Sequence, residues 1–164
     1  MKKHLLLLTL VATSLLLACK SSETGIDACT LATRAEVEAA LGESVGEGQR
    51  GVLQMEGMGD FRGCQYVTVR KPGKVVFVAV MQQCESLTPV RTRAKEALLA
   101  VPELGEDALW ATESGTLMTR EKGSCLWVQI LDNQETPSPS TAELSARLEA
   151  SESLLKKALM RLPP

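Results

Sequence analysis

Apolar positions recur along this chain in two rhythms, one near 3.6 residues and one of two, and together they predict short strands mixed with helices. Thr33-Arg34-Ala35-Glu36 is a Thr-x-x-Glu capping box; Val37, Ala40 and Leu41 follow on one face and Gly42 ends the helix. Between Gly42 and Gly63 seven glycines break any sustained rhythm, which predicts a long loop with a short strand around Val52 to Met55. Cys64 to Val69 alternates as a strand, Pro72-Gly73 reverses the chain, and Val75 to Met81 is a β-branched run suited to a central strand covered on both faces. Pro89 then opens a predicted helix through Val101, with Val90, Ala94, Ala97, Leu98 and Val101 inside and Arg91, Arg93 and Lys95 on a solvated outer face.

Three strand candidates come next: Ala108 to Thr112, Thr116 to Arg120 and Ser124 to Leu131, with a turn at Glu121-Lys122-Gly123. Ser140-Thr141-Ala142-Glu143 caps a long last helix whose Leu144, Leu148, Leu155, Leu159 and Leu162 face one way. A hairpin followed by a helix thus occurs twice, over 64–101 and 116–161. The expected fold is α+β, an antiparallel sheet with helices packed on it.

The chain opens differently. Lys2, Lys3 and His4 precede an apolar run, Leu5 to Leu17, of signal-peptide length and shorter than the roughly 20 residues a membrane-spanning helix needs. The run ends in Leu16-Leu17-Ala18-Cys19, which resembles the lipobox of bacterial lipoproteins. That resemblance implies acylation of Cys19 and cleavage just before it. Residues 1–18 are then the leader, 19–28 a lipidated flexible tether rich in Ser, Gly and Thr, and 29–164 one globular domain. The protein is expected outside the cytoplasm, anchored in a bacterial membrane through Cys19. Lys20, where an Asp favours inner-membrane retention in enterobacterial lipoproteins, leans towards the outer membrane.

Composition narrows the chemistry. Loss of the leader removes two lysines, leaving 16 basic against 20 acidic residues and no basic tract, so nucleic acid is not an expected partner. The single histidine, His4, leaves with the leader, and with it the usual Ser-His and Cys-His nucleophiles and the common zinc-hydrolase ligand sets. Gly46-Glu47-Gly48-Gln49-Arg50-Gly51 spells GxGxxG, but it follows a helix and enters a loop, the reverse of a dinucleotide site. Ser114-Gly115 lacks the nucleophile-elbow pattern, and Glu103, Glu106 and Asp107 read as solvated acids. No metal or cofactor is expected.

Four cysteines remain, Cys29, Cys64, Cys84 and Cys125, without a CxxC pair. An even count outside the cytoplasm points to disulfides. Three pairings are open; Cys29 with Cys64 and Cys84 with Cys125 is favoured because each pair would tie neighbouring elements. The aromatics fall mostly in strand-like segments and read first as core. Tyr66, Trp110 and Trp127, if they share one sheet face, would instead line an apolar groove for a peptide, lipid or glycan.

"CTLATRAEVEAALG", from Cys29, is similar to the Cys-x-Leu-x-Thr-x-x-Glu-x-x-x-x-Leu-Gly opening of small bacterial lipoproteins of unknown function. Gly63-Cys64-Gln65-Tyr66 and the Val101 to Ala108 turn match further motifs of that family, so the resemblance covers nearly all of the chain beyond the leader. It implies an α+β fold similar to the Mog1/PsbP-like sandwich and a Cys29 to Cys64 bridge. It implies no reaction. The expected role is a non-catalytic binding or interaction module of the cell envelope, with an envelope protein, lipid or glycan as partner. The alternatives are an envelope enzyme or redox protein using a free cysteine or the acidic loop, and a structural lipoprotein.

Overall fold

The two-residue rhythm of Val75 to Met81 becomes the middle of a seven-stranded sheet. The computed structural model describes residues 25–55, 59–71, 73–105, 107–132 and 139–164. Its strands are β1 (Gln49–Met55), β2 (Gly59–Val67), β3 (Lys74–Gln82), β4 (Leu98–Ala100), β5 (Leu109–Ala111), β6 (Thr116–Glu121) and β7 (Ser124–Asp132). They lie in the order β1-β2-β3-β7-β6-β5-β4, and every pair is antiparallel. The α+β expectation holds.

Alternation along the central strands divides their side chains between two cores. Val76, Val78 and Val80 of β3 with Leu126, Val128 and Ile130 of β7 face the helices; Ala79, Cys125 and Trp127 face the other way, with Phe61 and Met118. Helices α1 (Ala28–Leu31), α2 (Arg34–Leu41) and α4 (Thr141–Met160) serve the first core, α4 contributing Ala150, Leu154, Leu155 and Ala158. Each large aliphatic side chain so buried contributes about 1.5–3 kcal/mol. Both capping boxes form: Thr33 with Glu36 opens α2, and Ser140 with Glu143 opens α4. Gly42 closes α2 at φ 67°, a left-handed conformation that glycine adopts without Cβ strain.

Three expectations change. The helix drawn from Pro89 to Val101 is only α3 (Thr88–Arg93), because Leu98 to Ala100 pairs with β5 as a strand, Leu98 turned inward and Leu99 exposed. The run Leu98-Leu99-Ala100-Val101 fits either rhythm, and the free edge of β5 decides it. The loop drawn from Gly42 to Gly63 holds β1 and the start of β2, paired from Gln49↔Gln65 to Met55↔Gly59. Gly63 is there for contact, since a Cβ would collide with the Phe77 ring of β3. Within the stretch drawn as tether, Ala28 is buried, Ile26 packs on the helix-side core and Asp27 caps α1.

Both favoured disulfides are present. Cys29 of α1 joins Cys64 of β2, and Cys84 joins Cys125 of β7, with Cα separations of 4.9 and 5.4 Å. They close loops of 35 and 41 residues, which in the chain-entropy account stabilise by about 4 kcal/mol each. Alkylation of the unfolded, non-reduced chain should modify none of these four cysteines. Replacing either pair with serines should lower the unfolding free energy by about 2–5 kcal/mol in a denaturant titration.

An ion pair ties α2 to the end of α4: Arg161, just after α4, reaches Glu36 of α2 at 2.7 Å. The guanidinium, with hydrogen bonds from Thr33, holds the Glu36 carboxyl down at about 2 against an ordinary value of 4.5. A depressed carboxylate contributes stability above its unfolded value and loses it as protons bind the folded form. The melting temperature should therefore fall between about pH 4.5 and 2, and Glu36→Gln should make that fall shallower.

Candidate functional site

The three residues expected to line one groove are split by the sheet. Tyr66 of β2 and Trp110 of β5 lie in the helix-side core, whereas Trp127 of β7 faces the opposite core, edge-on to Phe61 with ring centroids 5.7 Å apart. Tyr66 sits at an even position beside Cys64, and Trp127 at an odd one opposite Ala79, so the pleat separates them. The Tyr66 hydroxyl donates to the Ala32 carbonyl, and burial pushes its phenol above the ordinary value. It is a structural tie between β2 and the turn after α1.

The other candidates are placed as follows. Cys19 and Glu106 lie outside the described residues. Asp107 is ion-paired to Arg120 at 2.8 Å, Glu103 is exposed, and the Ser114 hydroxyl bonds the Thr116 hydroxyl at 2.9 Å. Among the described residues no three His, Cys, Asp or Glu side chains gather as a metal site, and no cysteine is a free thiol. No helix among them is long and apolar enough to cross a membrane. Arg91, Arg93 and Lys95 are exposed.

Trp127 borders a cavity. This space, about 180 Å³, lies between the sheet and α3: Leu98, Ala111, Met118 and Trp127 of the sheet form one wall and Pro89 and Val90 of α3 another, with Arg93, Glu96 and Ser114 also at its lining. Residues 84–97 form a strap across the sheet, tied at both ends. At one end stand the Cys84–Cys125 bridge, the bond from the Cys84 amide to the Gly123 carbonyl at 2.8 Å, and the buried Leu87. At the other, the Glu96 carboxylate accepts the Glu113 and Ser114 amides at 2.6 and 2.9 Å, and the Thr112 amide donates to the Ala97 carbonyl.

Two buried side-chain polar atoms lack a hydrogen-bond partner among the described residues, Trp127 Nε1 and Ser151 Oγ. A helical serine is one rotamer away from a carbonyl of its own preceding turn. An indole in a strand has no such recourse, and an unsatisfied buried donor costs about 1–3 kcal/mol. Trp127 is 8% exposed, so the unmet N–H belongs to a residue sunk into the wall of an apolar space.

A larger groove, about 430 Å³, runs between residues 25–28 and β1–β2. It is polar: Arg50 pairs with Asp27 at 2.6 Å and holds that carboxyl below its usual range, while Arg62 stands exposed nearby. Comparison with known protein families, with curated proteins and with solved structures finds no match to this chain.

The strap residues escaped the sequence reading because Val90 and Leu98 were assigned to one helix. No local signal marks the break: Ala94 to Ala100 are all good helix formers, and the end of α3 at Arg93 is set by the pairing of Leu98 to Ala100 with β5. Removal of the Glu96 tie should loosen this cover alone. Glu96→Ala is expected to raise amide hydrogen exchange over residues 88–97 at least several-fold while leaving β3 and β7 protected.

Proposed function

We propose that this protein is a lipid-anchored lipoprotein of a bacterial envelope that acts as a non-catalytic binding or interaction module. The observation that supports the binding role is the cavity of about 180 Å³ beneath α3, walled mainly by Val90, Leu98, Ala111, Met118 and Trp127. A mainly apolar lining with a few polar groups, here Arg93, Glu96 and Ser114, is the usual make-up of a small-ligand pocket. The anchor rests on sequence: the leader, the lipobox-like Leu16 to Cys19 and the similarity of Cys29 to Gly42 to small bacterial lipoproteins. Two disulfides suit an oxidising compartment outside the cytoplasm, and Lys20 favours the outer membrane. Acyl chains on Cys19, at about 0.8 kcal/mol per buried methylene, would make desorption negligible. An envelope protein, lipid or glycan is the partner class.

Two measurements test this. Intact mass of the membrane-extracted protein should correspond to a chain beginning at Cys19 and carrying acyl groups; an unacylated chain retaining residues 1–18 would refute the anchor. A photo-crosslinking residue at Val90 should trap one envelope species in living cells. A pattern no different from that of the same residue at exposed Met160, far from the cavity lining, counts against the binding role.

A further inference from the structure

The sheet ends differently at its two margins. At one margin β4 is three residues long, too short to template another strand; at the other, β1 runs seven residues, Gln49–Met55, with neither proline nor lysine to blunt it. Val52, at the middle of β1, is 62% exposed, and Leu53 is partly buried against the core around Trp127. Gly51 supplies a second, independent observation. Its φ is not left-handed, its pairing with β2 is unbroken, and a Cβ there would meet nothing within 4 Å, so neither conformation, bulge nor packing inside the chain calls for glycine. A glycine inside a strand weakens it, and where no turn or bulge needs one it marks close approach by something else.

We infer that the outer margin of β1 pairs antiparallel with β1 of a second copy of this chain, about a two-fold axis through Val52, joining the two sheets into one. The register follows from the residues. With Val52 opposite Val52, Gly51 lies opposite Leu53 on the strap face, so each copy's leucine covers the other's glycine. On the helix face Arg50, the one charged residue of β1, lies opposite position 54, a glutamine, and not opposite itself. This axis is normal to the sheet and leaves both helix faces on one side. Residues 25–28 lie on that face of each copy, so the six residues back to Cys19, at most about 20 Å, reach the same membrane from both. That last point rests on the anchor reading; the pairing does not. A seven-residue strand pair is an interface of the small, weak class, and confinement to a membrane supplies the concentration it needs.

Full-length lipidated protein carrying Val52→Cys, in liposomes at low protein density, is treated with a short bis-maleimide. The four cysteines held in disulfides do not react. Residues opposite each other in an antiparallel pair have Cα atoms about 4.5–5.5 Å apart, within reach of the reagent. Covalent dimer should form several-fold faster than with Leu99→Cys on β4 or with Val69→Cys, both exposed sites off β1. Equal rates at the three sites, or no dimer at position 52, would overturn the inference. Val52→Lys and Val52→Glu change an exposed side chain and leave the fold intact, checked by thermal melting. Each should lose self-association by roughly tenfold in energy transfer between labelled copies, and an equal mixture of the two should regain it, because only a two-fold through residue 52 sets that residue against itself. Undiminished association of either variant alone, or a mixture that associates no better than its components, would overturn the pairing. Intact mass reads the anchor on the same samples, and the mixture is also measured in concentrated solution, so failure of the anchor and failure of the pairing are distinguishable.

Discussion

Everything in this fold depends on the pairing of β3 with β7, nine residues against nine, from Lys74↔Asp132 to Gln82↔Ser124. Over Val78 to Val80 and Cys125 to Val128 both strands are buried on both faces, so neither can exist without a cover on each side. The helix side is covered by α2 and the 20-residue α4. The opposite side is covered by a strap whose only regular element is a six-residue helix. One disulfide fastens each cover: Cys29 to Cys64 on the helix side, Cys84 to Cys125 on the other. A cover that short cannot fill the ground between β3 and β5, and the cavity beside Trp127 is what remains.

Much of this was legible in the chain, and the reasons differ by element. Capping boxes at Thr33 and Ser140 are local hydrogen-bond devices, so their sequence spacing and their structure coincide. The strand from Val75 to Met81 could be read because β-branched runs bounded by turn residues have few other uses. Leu98 to Val101 was misread because four apolar residues carry no period, and the deciding contact, an unpaired edge of β5, lies elsewhere in the sequence. Glycines at 51 and 63 looked like loop residues; they face each other across β1 and β2, with Phe77 over Gly63.

The candidate site was legible only in part. Trp127 could be named from composition, since aromatics are few, but grouping it with Tyr66 and Trp110 required the register of β2, β7 and β5, which no single-sequence rhythm gives. Its neighbours Val90, Ala111 and Met118 are ordinary core residues as letters. What distinguishes the place is a mismatch: a buried indole whose N–H has no hydrogen-bond partner among the described residues.

The two cores also differ in how they are spread along the chain. Every residue of the core around Trp127 lies between Leu53 and Trp127, whereas the helix-side core runs from Ile26 to Leu162. Arg161 closes that span by donating to the Leu31 carbonyl, 130 residues away, at 2.8 Å. In order of synthesis, the core around Trp127 can assemble while α4 is still unmade, but Val76, Val78 and Ile130 lack that helix's cover until it arrives. The vulnerable stage of folding is therefore set by α4, and loss of that helix would leave a half-covered sheet with an apolar face open to other chains.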